Sequence, residues 1–237
     1  MSNCGMNAKT KIKRVAGLLD KEYGRKIWRK TGDPMSVLIG TILSQNTSDH
    51  NSHRAFASLR RRFPDWNELR RAPVSRIEKA IRTGGLSRIK AERIKKILGQ
   101  VNHDDSDLSL SFLRSWDTDK AVEYLRKFKG VGEKTVACVM LFSLGRPVMP
   151  VDTHVFRLLR RLGLVPEGSD TQKAHQVVRK IVPANLVYSF HLNLIQHGRK
   201  VCKAQNPRCG ECIIFEHCEY EEKKNHIKTG ELAHAKG

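Results

Sequence analysis

Apolar residues with helical spacing recur along most of this 237-residue chain, and they restrict its fold more than any other feature. Ala55, Leu59 and Phe63 fall on one face of a helix that Pro64 should end. Similar apolar faces lie at residues 15–19, 37–42, 77–81 and 89–98. The alternation of apolar and polar residues that marks half-buried strands is nearly absent. We therefore predict an all-α fold.

The charge of the chain is strongly unbalanced, because 44 Lys and Arg against 24 Asp and Glu give a formal net charge of +20. A positive field of this size concentrates polyanions, and counterion release makes nucleic acid the favoured partner. A basic soluble protein without such a partner is the alternative. A membrane partner is disfavoured because no lipidation signal or basic amphipathic anchor is visible.

The first ten residues are polar and lack the apolar core of a signal peptide. The longest apolar run, at residues 136–144, is too short to span a bilayer. We therefore expect the protein in the cytoplasm, with the nucleoid, or in the nucleus, and not secreted. In such a reducing compartment six cysteines indicate a metal site rather than disulfides. Cys138, in an apolar helical run, is expected to be a buried small hydrophobe, and Cys4 lies in the terminus.

Four cysteines near the carboxyl end form the strongest motif: Cys202, Cys209, Cys212 and Cys218, with six, two and five residues between them. Four thiolates within so short a segment can surround a compact soft-metal site. A zinc ion is one alternative, but structural zinc sites normally use two close cysteine pairs, and this motif has a single C-x-x-C pair. The staggered spacing favours a cubane iron–sulfur cluster over zinc.

A turn with two glycines separates two helical patterns at residues 128–135, and we call this segment the glycine hairpin. Gly130 and Gly132 permit a tight connection, and the N–H groups at the start of the second helix can bind phosphate regardless of base sequence. A purely structural turn is the alternative. Lys134 lies in the first turn of that helix, where the helix end and partial burial would disfavour an ammonium ion. A neutral amine there can form a Schiff base, whereas a charged one would contact phosphate, and both roles stay open.

Asp152 precedes a helical pattern at residues 155–162, so its simplest role is that of an N-cap. A carboxylate that acts with an amine nucleophile can also stabilise a cationic sugar in the transition state and help to move protons. The local sequence does not separate the two roles.

Taken together, these motifs resemble those of the endonuclease III family, which belongs to the helix-hairpin-helix base-excision DNA glycosylases. The resemblance rests on GVGEKT at 130–135, VDTH at 151–154, and HGR at 197–199 followed by the cysteine quartet. LSQNTSD at 43–49 and GLSRIKA at 85–91 occur in the same order. It implies a six-helix barrel module with the helix-hairpin-helix at 27–146, and an iron–sulfur module formed by 1–26 and 147–220. A cleft would lie between the modules. The segment 221–237 is charged and lacks a core pattern, so we expect it to form a flexible tail.

The resemblance also implies a bifunctional DNA glycosylase and AP lyase that acts in base excision repair. A damaged nucleotide would be flipped out of double-stranded DNA, because its sugar carbon is unreachable within the stack. Lys134 would attack C1′ with the assistance of Asp152, and the Schiff base would permit the β-elimination that nicks the strand. The implied partner is duplex DNA with a damaged base or an abasic site, bound by a monomer.

Further roles follow from the same resemblance. The four cysteines would ligate a [4Fe–4S] cluster, which would hold a loop that presents Lys203 and Arg208 to DNA phosphates. Either Asn46 or Gln45 would fill the gap left by the flipped nucleotide. Leu86 would enter the base stack as an apolar wedge, and its alternative is a core leucine. The implied DNA-binding residues are Gly130, Gly132, Asn46, Gln45, Leu86, Lys203 and Arg208.

Two other functions remain open on the sequence. One is a monofunctional glycosylase for mismatched, deaminated or alkylated bases, in which Lys134 is not used covalently. The other is a non-catalytic DNA-binding iron–sulfur protein that senses damage.

Overall fold

The computed structural model describes residues 7–101 and 108–227. Cys4, the segment 102–107, whose polar and acidic sequence predicts a loop, and residues 228–237 lie outside the described residues. In chain order the α-helices are α1 (Ala8–Tyr23), α2 (Pro34–Ser44), α3 (Asp49–Arg62), α4 (Trp66–Arg71), α5 (Val74–Ala80), α6 (Ser87–Gln100), α7 (Thr118–Arg126), α8 (Glu133–Cys138), α9 (Thr153–Arg161), α10 (Thr171–Ile181) and α11 (Val187–Lys200). A π-helical turn, Val139–Ser143, continues α8. No β-strand occurs in these residues, and the all-α prediction is confirmed.

Most helix boundaries follow from side chains that cap the first turn. Each capping residue accepts a hydrogen bond from a backbone N–H group that has no partner inside its helix. These residues are Asn7, Asp33, Ser48, Asp65, Asp117, Asp152 and Asp170. The helix predicted to stop at Pro64 is α3, which ends at Arg62. The sequence therefore sets these boundaries locally.

The chain divides into two compact units, residues 29–146 and residues 1–28 with 147–237. In the first unit, α2 packs on α3, α6 and α8, α5 packs on α3 and α6, and α7 packs on α8. Its core includes Leu38, Ile42, Leu59 and Ile94, which are fully buried. Ile89 was counted on the apolar face of α6 but is 54% exposed, because that helix is buried instead through Lys90, Ala91, Ile94, Ile97 and Leu98.

In the second unit, α11 packs along both α1 and α9, and α10 contacts α1 and α9. Gly198 permits the close approach of α9 and α11, because a Cβ atom there would lie 3.1 Å from the Cβ of His154 and 3.0 Å from Cδ1 of Leu158. Within the described parts of the chain no helix is both long and apolar enough to cross a membrane.

The segment after residue 220 differs from the expected flexible tail. Glu221–His226 forms a 3-10 helix. The ammonium of Lys223 donates to the carbonyl of Cys218 at 2.7 Å and to that of Phe215 at 2.9 Å. These bonds to the preceding segment hold the start of the tail in place, and a charged composition alone did not reveal them.

Candidate functional site

The glycine hairpin connects α7 to α8, and its two glycines have different backbone angles and different surroundings. Gly130 has a φ of 85°, which side chains disfavour, and a Cβ atom there would also clash with the guanidinium of Arg93. Gly132 has ordinary backbone angles and is the N-cap of α8, with no side chain capping the helix. A Cβ atom at Gly132 would have no described atom within 4 Å. The side of Gly132 that a Cβ atom would occupy is therefore open, which leaves room for a ligand beside the start of α8.

Lys134 is the second residue of α8, and its side chain is exposed. The expected partial burial of this lysine is therefore wrong, since α8 buries the face that carries Thr135 and Val136. Within the described residues, Lys134 forms no hydrogen bond or ion pair. Its neighbour Glu133 is held instead by Arg126, with N–O distances of 2.7 and 2.9 Å. The amine is thus available to an incoming molecule.

Two exposed residues with left-handed backbone angles lie at the ends of loops in the first unit, and we call them the two tips. Asn46 follows α2 and has a φ of 51°, and Leu86 precedes α6 with a φ of 46°. Such angles are uncommon for residues other than glycine, and both side chains are exposed to solvent. Leu86 is 52% exposed, so its alternative as a core leucine is wrong.

Gln45 and Asn46, which the sequence left as equal candidates, have different surroundings. The half-buried Gln45 accepts a hydrogen bond from Nη1 of Arg93 at 2.5 Å and donates a long one to Oγ1 of Thr135 at 3.5 Å. Asn46 is exposed. Gln45 is therefore occupied by contacts within the protein, whereas Asn46 projects from the loop.

Asp152 is the N-cap of α9, as its position predicted. One of its carboxylate oxygens, Oδ1, accepts the N–H of Val155 at 2.8 Å. In the described part of the chain, the other oxygen has no hydrogen-bond donor. Asp152 is half-buried, so a single carboxylate can cap the helix and still offer an oxygen to another molecule.

The cysteine loop, residues 202–218, brings its four thiols around one cavity. Neighbouring helices hold the loop: Nη1 of Arg161 donates to Sγ of Cys202 at 3.2 Å, and Nε2 of His197 lies 3.4 Å from Sγ of Cys212. Arg157 also donates to the carbonyl of Cys202 at 3.0 Å. Sequence spacing found the cysteines but not Arg157 and Arg161, which only the packing of α9 against the loop reveals.

The donor set fits a metal cluster. Burial raises the pKa of the Cys212 thiol to about 12, and burial followed by the neighbouring cysteines raises the pKa of Cys209. Burial also raises the pKa of Cys218. Thiols in this situation ionise only when a positive group compensates their charge, and an iron–sulfur cluster does so. Among the described residues no three His, Cys, Asp or Glu side chains lie close enough together to hold a single metal ion. The four thiols instead line a shared cavity.

Lys203 and Arg208 both lie in the cysteine loop and are exposed. Arg208 forms a surface ion pair with Glu211 at 3.4 Å. Exposed pairs of this kind contribute little to stability, so this contact leaves the guanidinium accessible to an anion.

Two regions of the chain match the sequence models of known families. Residues 39–184 match the HhH-GPD superfamily base excision DNA repair protein, and residues 202–218 match the iron-sulfur binding domain of endonuclease III. Endonuclease III of Thermotoga maritima is 33% identical over 209 residues, which cover 88% of this chain and 92% of that protein. The chain belongs to the endonuclease III family.

Other relatives support this membership. Endonuclease III of Escherichia coli is 34% identical over 80% of this chain and 85% of its own length. A protein of Arabidopsis thaliana, provisionally named a DNA glycosylase, is 42% identical over 165 residues, and this chain spans 56% of it.

Among solved structures, a trapped covalent intermediate of an endonuclease III with DNA matches with a TM-score of 0.77 and 28% identity. The match covers 93% of this chain and 99% of that one. A thermostable thymine-DNA glycosylase matches with a TM-score of 0.72 at 24% identity, which supports the fold alone.

Membership of the endonuclease III family confirms three predictions. The fold is the all-α helix-hairpin-helix fold. The protein is a base-excision repair enzyme, a DNA glycosylase and AP lyase. It carries a [4Fe–4S] cluster, which decides against the zinc alternative.

Proposed function

We propose that this enzyme excises its damaged base through covalent catalysis by Lys134. Nζ attacks C1′ of the target nucleotide, the bond from C1′ to the base breaks, and the base leaves with the bonding electron pair and takes up a proton. The nitrogen loses a proton and then expels O4′ as the C1′–O4′ bond breaks, and O4′ takes up a proton. The resulting iminium between Nζ and C1′ acidifies the proton on C2′. Loss of that proton and departure of the 3′ phosphate complete the β-elimination that nicks the strand.

The single observation that supports this proposal most is the state of the Lys134 amine. It is exposed at the start of α8, and in the described residues nothing pairs with it, since Glu133 is engaged by Arg126. A relative has been trapped as a covalent intermediate with DNA, which is consistent with an amine nucleophile in this family.

Asp152 is proposed as the second catalytic residue. Its oxygen that does not cap α9 would stabilise the positive charge that develops on the sugar and assist proton transfer. Since Asp152 also caps α9 through Val155, the helix would fix the direction in which that oxygen points.

The proposed substrate is duplex DNA with a damaged base or an abasic site, bound by a monomer. The free N–H groups at Gly132 and the start of α8 would bind a phosphate, and Lys203 and Arg208 would bind others. Asn46 would fill the gap that the flipped nucleotide leaves, and Leu86 would enter the stack as a wedge. Exposure supports Asn46 over Gln45 for the first of these roles.

Cys202, Cys209, Cys212 and Cys218 are proposed as the ligands of the [4Fe–4S] cluster, since they line one cavity. When bound, the cluster cross-links the cysteine loop and so holds the exposed Lys203 and Arg208 on a fixed backbone.

Borohydride trapping tests the mechanism. Reduction should freeze a covalent complex between the enzyme and duplex DNA that contains an abasic site or a damaged base. Lys134→Ala should form no adduct, while Lys127→Ala, which removes an exposed lysine before the hairpin, should still form it. No adduct with the wild type would favour a monofunctional glycosylase if bases are still released. No adduct and no released base would favour a non-catalytic damage sensor, and an adduct in Lys134→Ala would exclude this lysine as the nucleophile.

A further inference from the structure

Lys90 of α6 is a buried cation that joins two distant loops. Only 2% of this residue is exposed, and its ammonium donates to the carbonyl of Leu43 at 2.8 Å and to that of Gly84 at 2.7 Å. Leu43 lies in the last turn of α2, where carbonyls lack partners within the helix. Both acceptors are only a few residues from a tip: Asn46 follows the first and Leu86 follows the second.

The loop before Leu86 also packs closely on α3. A Cβ atom at Gly84 would lie 3.1 Å from the Cβ of Ala55 in α3, whereas its distance to the carbonyl oxygen of Leu43 would be 4.0 Å. Glycine therefore lets this loop approach α3, and the ammonium of Lys90 bridges it to the end of α2. The separation of the tips is fixed by this bridge, since both are anchored within three residues of it.

Arg93 lies one turn further along α6 and contacts a different pair of segments. Its guanidinium donates to Gln45, the residue before the Asn46 tip, and lies under Gly130 of the glycine hairpin. Gln45 in turn reaches Thr135, the residue after Lys134. Arg93 thus connects the loop that carries one tip to the helix that carries the amine.

Both cations are held by neutral groups. Within the described residues neither Lys90 nor Arg93 has a carboxylate partner, and burial, followed by the positive charge of Arg93, lowers the pKa of Lys90. Burial of an unpaired charge is costly, so such a pair is a poor device for stability alone. The two side chains do supply directional hydrogen-bond donors, which specify the spacing of the backbone segments that they contact.

We propose that Lys90 and Arg93 are positioning residues, which hold the two tips and the glycine hairpin at the spacing that base excision requires. This assignment rests on the proposed function, since it gives the tips their DNA-entering role and the hairpin its nucleophile. Neither residue touches the reacting atoms. They act through the backbone carbonyls of the tip loops and through Gln45.

The Arg93 connection is tested by single-turnover excision with enzyme in excess, on duplex DNA that the wild type is shown to cleave. Arg93→Ala should slow the step at saturation by about 10- to 100-fold, as small displacements of catalytic groups do. Gln45→Ala should slow it similarly, and the double variant should be no slower than the worse single one, because both act in one chain of contacts.

Arg88→Ala is the matched control, since it removes the same charge from the same helix. Arg88 pairs with Glu92 and Glu78 at the surface, and its side chain donates no hydrogen bond to either tip loop among the described residues. Arg93→Ala and Arg88→Ala should weaken the salt dependence of DNA binding alike. Arg88→Ala, however, should keep its excision rate at saturating enzyme within about threefold of wild type. Equal rates for Arg93→Ala and Arg88→Ala, or additive effects of Arg93 and Gln45, would overturn the Arg93 assignment.

The Lys90 connection is tested by base unstacking, with 2-aminopurine beside an abasic-site analogue as the probe. Lys90→Met should reduce the fluorescence increase on binding. It should also reduce the preference for that duplex over undamaged DNA by about 10-fold, because the lost contact should cost about as much as one poorly placed side chain. A folded Lys90→Met with unchanged fluorescence and preference would refute it. If this variant does not fold, the Arg93 and Gln45 cycle decides the proposal. A wild type that forms no adduct, by contrast, would refute the proposed function and not the spacing.

Discussion

The glycine hairpin and the cysteine loop are both short irregular segments with a functional motif, yet different parts of the chain give them their shape. In the hairpin the backbone does so, through the left-handed Gly130 and a hydrogen bond from Val131 to Phe128 at 3.0 Å. In the cysteine loop side chains do so, with Arg161 and His197 against the sulfur atoms. The hairpin leaves the Lys134 amine exposed, whereas the loop gathers its four thiols around one cavity. These surroundings suit the proposed roles, because a reacting group must be accessible and metal ligands must be sheltered.

The largest effect is expected in the cysteine loop, where side chains are essential. Cys212→Ala should lose the cluster, and with it the brown colour and most of the iron, because it removes one of the four proposed thiolate ligands. Iron analysis and visible absorption measure this. Cys138→Ala is the matched control, since Cys138 is buried in the other unit and should leave the iron content unchanged. Full iron in Cys212→Ala would show that this side chain does not define the loop.

The next largest effect concerns Asp152, whose two roles can be separated. Asp152→Asn keeps a side-chain oxygen for the N–H of Val155, so the melting temperature should change little. Excision should fall by about 100-fold or more, because the amide carries no charge for the cationic sugar. Asp170→Asn makes the same change at the N-cap of α10 and should leave excision intact. Equal turnover of Asp152→Asn and wild type would leave Asp152 with its capping role alone.

The two glycines of the hairpin should then differ from each other. Gly130→Ala should destabilise the protein by about 1–3 kcal/mol, because of its positive φ and the clash with Arg93. Gly132→Ala should change stability by less than about 0.5 kcal/mol, since its Cβ meets open space. Its methyl group should instead weaken DNA binding by blocking the N–H groups of α8. Denaturant unfolding and binding titrations measure the two effects, and equal destabilisation by both substitutions would mean that the backbone does not shape the hairpin as described.

The smallest effect is expected from the side-chain pair beside the hairpin. Arg126 and Glu133 form a two-bonded ion pair with 47% and 32% of their side chains exposed, so a double-mutant cycle should give a coupling energy below about 1 kcal/mol. A larger coupling would show that side chains as well as backbone hold the hairpin, and would weaken the contrast with the cysteine loop.

Much of the fold could be predicted because its signals are local. Apolar periodicity and capping residues specify most helices, and Pro64 marked the end of α3. Predictions failed where a distant segment decides the outcome. Ile89 fits an apolar face but is exposed, because the packing of α6 selects a different face that includes Lys90. The 3-10 helix after residue 220 was missed for a different reason. Lys223 bonds to carbonyls only five and eight positions earlier, and a charged composition does not reveal such specific contacts.

The candidate site shows the same division. Motif spacing found Lys134, Asp152 and the cysteines, and membership of the endonuclease III family confirmed the activity and the cofactor, while the individual residue roles remain predictions. The expected partial burial of Lys134 was wrong, since exposure depends on how α8 packs and not on its first turn. The surroundings of Gln45 were invisible in the sequence, because its partners Arg93 and Thr135 are 48 and 90 positions away.

The sequence by itself determined the helical fold, the family, the lysine, the aspartate and the cysteine quartet. These depend on residue type and short spacing, which are properties of the chain before it folds. Only the tertiary structure decided that Asn46 projects while Gln45 is engaged, that Leu86 is exposed, and that two cations of α6 link the loops between them. Exposure and long-range hydrogen bonds arise when distant segments exclude water from one another, so no local pattern contains them.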